Sequence, residues 1–136
     1  MASISTYLEE RLLSFLFKGN AIGLVTPGDN LWLAMFTAGV DLESGNLTNE
    51  VAGNGYARVA TPMSAWSIAP AILIENAAVL DFPVATGAWG TITHGAIVDA
   101  VTGGNILLHG ALYLARSVQA NDQLRFEVGE ARFILD

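Results

Sequence analysis

With no Cys in its 136 residues, the chain has no thiolate metal site, disulfide or Cys nucleophile, so any chemistry falls to oxygen and amine groups or to His94 and His109. Both histidines lie in one apolar stretch, Thr86 to Leu114. A hairpin register whose paired residue numbers sum to about 203 sets them opposite one another. They then share a site with Asp99 or Asp81 as orienting carboxylate, or sit as partly buried imidazoles beside Gly95 and Gly110, bonded to backbone carbonyls. The second reading is favoured, because a catalytic or zinc site needs a third group that the spacing does not place.

Other candidates are weaker. Gly53-Asn54-Gly55 and Gly103-Gly104 read as turns, since neither follows the strand-to-helix order of a phosphate cradle. No Gly-x-Ser-x-Gly elbow marks a nucleophile, and the carboxylates are scattered without a pair that would suit glycoside cleavage. Trp32, Trp66 and Trp89 would suit a sugar-binding face if exposed, but in so apolar a chain they are expected in the core. The sequence therefore assigns no catalytic residue, no cofactor and no metal.

The elements around the histidines are clearer. Gly90 to Val98 and Asn105 to Leu114 are apolar on both faces and flank the turn residues of Asp99 to Gly104. They predict a hairpin at the middle of a sandwich, covered on each side. Thr6 to Lys18 predicts a helix, with Leu8, Leu12, Phe15 and Leu16 on one stripe, capping-box spacing at Thr6 and Glu9, and Gly19 as the stop. That stripe closes one end of the sandwich or docks on a neighbouring subunit.

Leu31 to Thr37 reads as a buried strand, and Ala38 to Asn54 as a long polar surface loop of the kind that becomes ordered against a partner. Further strands are expected at Tyr56 to Met63 and at Ala71 to Asn76, with Ala78 to Phe82 continuing the latter and Ser64 to Pro70 as connector. Pro83 falls where a strand would end. Gln123 to Val128 alternates cleanly, and Gly129-Glu130 predicts a tight turn returning Ala131 to Leu135 beside it. The fold class is mainly β: an antiparallel β-sandwich or jelly-roll-like barrel with one N-terminal α-helix, as a single domain over residues 1–136.

Composition narrows the partners. Charged residues make up 14% of the chain, against about 25% in an ordinary soluble domain, while 52% are hydrophobic. No run approaches the roughly 20 apolar residues of a spanning helix, so a membrane is not expected; the apolar excess points to an oligomer or a subunit docked on a larger assembly. A net charge of −7 disfavours nucleic acid. The start, Met-Ala-Ser-Ile-Ser, lacks the pattern of a secretory signal, which predicts assembly in a cytoplasm.

Several pieces carry a resemblance: Tyr7-Leu8-Glu9, Leu31 to Ala38, Glu50-Val51, Gly55-Tyr56-Ala57-Arg58, Asn76-Ala77-Ala78, Phe82-Pro83 and Ala88-Trp89-Gly90-Thr91-Ile92-Thr93-His94. Over nearly its whole length the chain resembles small tailed-bacteriophage virion proteins of the tail-fibre-like kind, some of which sit on the head as cement or decoration subunits. The resemblance implies a virion component without catalytic residues. Lacking the coiled coil or repeats of a fibre shaft, the chain is expected to act as a capsid cement protein on the outer capsid surface, assembled in the host cytoplasm. A tail fibre or fibre-attachment protein is the alternative; a carbohydrate-binding module or glycan hydrolase is the rival of another class, and an apolar-ligand barrel a third. The expected partners are the major capsid protein and the chain itself, as homodimer or homotrimer. The expected contact residues are Leu8, Leu12 and Phe15 of the helix and Asp41, Glu43, Asn46 and Glu50 of the loop.

Overall fold

The hairpin that the apolar runs predict forms the middle of the largest sheet. In the computed structural model, which describes residues 2–21, 23, 31–69 and 73–135, strands β7 (Gly90–Val98) and β8 (Ile106–Val118) pair antiparallel. Strand β2 (Leu31–Phe36) flanks β7, and β1 (Ala2–Ile4) and β3 (Val59–Thr61) complete the sheet in the order β1-β8-β7-β2-β3. Alternation sends Leu33, Met35 and Ile97 to one face and Ala34, Phe36, Ala96 and Val98 to the other, where they join two separate buried clusters. The half of the hairpin near its tip is thus covered on both sides, as its composition requires, while Ala111 to Ala115 of β8 run out into an exposed stretch.

Two smaller sheets close the larger cluster. One pairs β6 (Leu80–Val84) with β9 (Gln123–Phe126); the other orders β4 (Trp66–Ala69), β5 (Leu73–Asn76) and β10 (Arg132–Ile134) as β10-β5-β4. They contribute Leu80, Phe82, Leu124, Phe126 and Phe133 to the core. The second cluster is capped by the segment after β2, where a 3-10 turn at Leu42–Ser44 buries Leu42 and Leu47 packs beside it. All the strand ladders are antiparallel, giving a β-sandwich with one helix, α1 (Thr6–Lys18).

Helix α1 spans the expected residues and stops at Gly19, whose φ of 67° is left-handed and whose N–H reaches Phe15 O at 3.2 Å. Its cap is Ser5, not Thr6. The Ser5 hydroxyl accepts from Leu8 N at 3.3 Å and donates to Ile106 O, while Ser5 N donates to Leu107 O at 2.9 Å. One buried residue therefore caps the helix and fixes its first turn to β8.

The later strands differ from expectation. Only Val59–Thr61 of Tyr56 to Met63 is extended in a ladder, because Tyr56 and Arg58 serve a polar cluster described below. The expected connector Ser64 to Pro70 contains β4, which pairs with β5; Ala71 lies outside the described residues. Leu80 to Val84 is a separate strand in another sheet, and Pro83 sits inside it where the register shifts between Asp81 and Val84, a place that does not need its missing N–H. The closing hairpin does not form: β9 pairs with β6, and β10 with β5.

Asn76 explains that separation. Wholly buried, it donates through Nδ2 to Ala78 O, Phe126 O and Glu127 O at 2.8, 3.3 and 2.9 Å, and accepts at Oδ1 from Ala131 N at 2.9 Å. Its own backbone bonds Ala131 and Gly129. The amide thereby holds the end of β9 and the chain leading into β10, at Phe126, Glu127 and Ala131, against the end of β5.

Candidate functional site

The motifs that carry the resemblance turn out to be fasteners. Gly53, Asn54 and Gly55 all have positive φ, a conformation that glycine and asparagine tolerate, and they turn the chain so that Tyr56 and Arg58 point inward. Arg58, its side chain 3% exposed, holds Glu50 in a two-pronged pair, Nε to Oε1 and Nη2 to Oε2, both 2.7 Å. Its Nη1 donates to Ala100 O and Gly103 O at 2.7 and 2.8 Å, the tip of the β7–β8 hairpin. Tyr56 OH donates to Glu50 Oε1 and accepts from Met35 N, each at 3.0 Å.

Electrostatics keep this cluster fixed. Burial pushes the Tyr56 phenol well above its usual range, and the Glu50 carboxylate adds to the shift, so the phenol stays protonated. For Arg58, burial acts downward, but the hydrogen bonds and charge of Glu50 outweigh it and the guanidinium titrates above its ordinary value. Trp89 Nε1 donates to Asn54 O at 2.9 Å, and Asn54 Nδ2 to Ala88 O at 2.8 Å, tying the two motifs to each other. Glu50, expected as a contact residue, spends its carboxylate inside the fold.

The histidines share a face but not a pair. His94 lies opposite Ala111 and His109 opposite Ala96, so they are offset diagonally by two residues. The expected register failed nearer the tip: Val98 pairs with Ile106, and the register shifts again between Val98 and Ile97, where β8 carries the extra residue Leu107. His109 Nε2 meets Glu43 Oε2 at 2.8 Å, and His94 Nδ1 meets Thr93 Oγ1 at 2.8 Å with Gly39 packed flush on its ring. Burial, helped by the charge of His109, holds the His94 imidazolium below the usual range. Neither expected carboxylate serves them: Asp99 accepts from Asn105 at the hairpin tip, and Asp81 pairs with Arg125. Among the described residues no three His, Asp or Glu gather as metal ligands would.

The loop from Ala38 to Asn54 is folded onto the sheet. Leu42 and Val51 are buried, Glu50 bridges to Phe36, and Asn46 Oδ1 accepts from Thr48 N at 2.9 Å. Asp41 is exposed in a left-handed conformation, its carbonyl accepting from Ser44 N and Asn46 N, and Glu43 reaches Thr6 and His109. Most of the segment nonetheless stays exposed, Asp41, Glu43 and Thr48 among it. The apolar anchors Leu42, Leu47 and Val51 were visible in the sequence and are what fold the segment down.

Apolar surface lies elsewhere. No residue of α1 is buried. Leu8 and Leu12 are half-buried near the fixed end, but exposure rises through Phe15 to Leu16 at 69% and Phe17 at 81%. Leu13 and Phe17 lie off the expected stripe, and a helix apolar on several faces was the signal for this. On β8, Tyr113 and Leu114 are fully and largely exposed, beside a groove of about 570 Å³ between β8 and β10. Sequence reading placed them in a covered hairpin; their exposure depends on how far β1 extends along β8.

Of the tryptophans, Trp89 is buried edge-on to Tyr56, Trp32 packs on the second cluster, and Trp66 packs edge-on to Phe133. A sugar-stacking platform needs an open ring face, and these three are engaged in packing.

The family described as Podophage GP4 fiber I protein gp80 matches the chain over residues 3–133. No curated protein matches it.

Proposed function

The chain belongs to the podophage GP4 fiber I protein gp80 family, a tail-fibre-like bacteriophage virion structural protein, and from that premise we propose that it is a non-enzymatic connector docking through the distal half of α1 onto another protein of the fibre apparatus. The observation that carries this reading is the helix itself. It is 13 residues long, fixed at its first turn by Ser5, and leaves Leu16 and Phe17 bare while burying no residue in its own chain. Helices this short gain most of their stability from packing, so a face that its own fold does not cover is matched to a partner groove.

A capsid-bridging cement role is the second reading. It is supported by the sandwich architecture, in which the described residues form no shaft-like repeat or coiled coil. Both readings use the same helix and differ in the partner.

The experiment is co-sedimentation of the purified full chain with separated tail and head fractions of the phage, alongside a Leu16→Asp/Phe17→Asp variant. Binding to tails that the variant loses supports the fibre reading. Binding to expanded heads alone supports cement. Variant binding equal to the parent removes the helix from either account.

A further inference from the structure

Strand β8 outruns its neighbours. It spans 13 residues, but β1 pairs only with Leu108, His109 and Gly110 on its outer side. Just beyond, between the pairs His94–Ala111 and Ile92–Arg116, β7 offers the single residue Thr93 against Leu112, Tyr113, Leu114 and Ala115 of β8. This excess makes a bulge, a device that re-aims side chains. Tyr113 reaches 107% relative exposure and Leu114 73%, so the pair stands out as an apolar knob.

The same strand walls the groove. Gly95 and Gly110, paired directly across the sheet, leave its floor without side chains, Phe126 and Phe133 line it, and Ile134 stands half-exposed. Its volume of about 570 Å³ falls within the range of true binding pockets, roughly 300–1,000 Å³.

We infer that this chain forms a two-fold dimer in which Tyr113 and Leu114 of each copy enter the groove of the other. Tyr113 stands on the groove's own wall and projects from it, with Leu114 next along the strand, so a two-fold axis beside β8 brings each projecting pair to the other copy's groove at once, the self-complementarity that an isologous contact requires. Charge selects the same surface. Copies carrying −7 each repel, but the groove's two charged residues, Glu130 and Arg132, oppose in sign and are each paired within the chain, to Arg116 at 3.7 Å and Glu75 at 3.0 Å. The bulge disfavours open-ended strand addition along β8 and so favours a closed pair.

The test uses the purified full chain, with no other virion protein present, so it stands apart from the question of tail or head. Sedimentation velocity from about 1 to 100 μM spans the weak end of affinities for a standard interface. The expected result is a dimer that tightens with added salt and whose Kd rises at least about 100-fold in a Tyr113→Ser/Leu114→Ser variant, as the loss of two anchor residues predicts. Circular dichroism checks that this variant is folded. Because the chain has no Cys, equimolar Ala115→Cys and Ile134→Cys variants joined by a short bis-maleimide should give the 115–134 product well above the twofold excess over either homodimer that random pairing alone produces. A monomer throughout the range, a dimer indifferent to the serine pair, or cross-linking without preference for 115–134 beyond random pairing overturns the inference.

Discussion

Around Arg58 the fold is held by polar groups that all find partners, whereas along the distal half of α1 and at the β8 bulge large apolar groups find none. Arg58 alone connects the segment after β2, the turn at Gly53 to Gly55 and the hairpin tip. Leu16, Phe17, Tyr113 and Leu114 connect nothing within the chain. The contrast separates two kinds of cost. A buried polar cluster is expensive to leave half-satisfied and so fixes one arrangement, while an exposed apolar patch costs little to the folded chain alone and gains only when covered.

The largest break comes from Arg58→Ala. It leaves Glu50 and Tyr56 without their cation and strands two carbonyls at the hairpin tip. Removing one partner of a buried pair costs about 3–5 kcal/mol. Thermal unfolding should drop by roughly 10 °C or more. Arg58→Lys should recover only part of this, since an ammonium cannot hold both carboxylate oxygens and two carbonyls together.

Asn76→Ala comes next. It takes the amide's bond from Ala78 O, Phe126 O and the Ala131 N–H, and one of two from Glu127 O, which still accepts from Glu130 N, at about 1–3 kcal/mol for each group left without a partner that water cannot reach. Some become hydrated, so a total of about 2–4 kcal/mol is expected in chemical denaturation. Hydrogen exchange should then show β10 opening ahead of the central hairpin. If β10 stays protected, Asn76 does not hold the two ends apart.

These two residues also mark what the sequence conceals. The central hairpin and the limits of α1 were legible because apolar runs, Gly19 and the Asp99 to Gly104 turn are local signals. Asn76 sends no local signal. It ends an apolar strand like many polar residues, and its four side-chain partners lie up to 55 residues away. Gly129-Glu130 satisfies the rules of a tight turn, yet partner choice for β9 and β10 was decided at long range by β6, β5 and that amide. Likewise Ala38 to Asn54 was read by its polar majority, although three apolar residues set its path. For the candidate surfaces, residue types are visible in the sequence but coverage is not: Leu8 and Leu12 of α1 are half-buried, while the exposure of Leu16, Phe17, Tyr113 and Leu114 depends on what fails to pack against them.

The opposite pole of the contrast predicts almost no loss. Leu16→Ser with Phe17→Ser removes apolar groups that touch water already, so denaturation midpoints should stay within about 0.5 kcal/mol of the parent. Binding to the virion partner should fall sharply in the same protein. A destabilisation comparable to that of Asn76→Ala would mean that the helix tip packs on its own chain.

The smallest effect sharpens the comparison by pH. Burial, with His109 nearby, holds His94 below the ordinary histidine value, so the unfolded chain takes up this proton more readily than the native one. The contribution of His94 is therefore fully present above about pH 6.5 and is lost as pH falls through that value toward the lower native one. Protonation also sets a charge on a ring packed against Gly39, at the start of the segment that Glu43 ties to His109. Melting temperature should decline on acidification from about pH 7.5 to 5, with a slope that His94→Asn reduces. Amide exchange across Ala38 to Asn46 should quicken in parallel, while the far end of α1, which has no packing to lose, keeps its rate. An unchanged slope in the variant would mean that His94 does not carry the acid sensitivity.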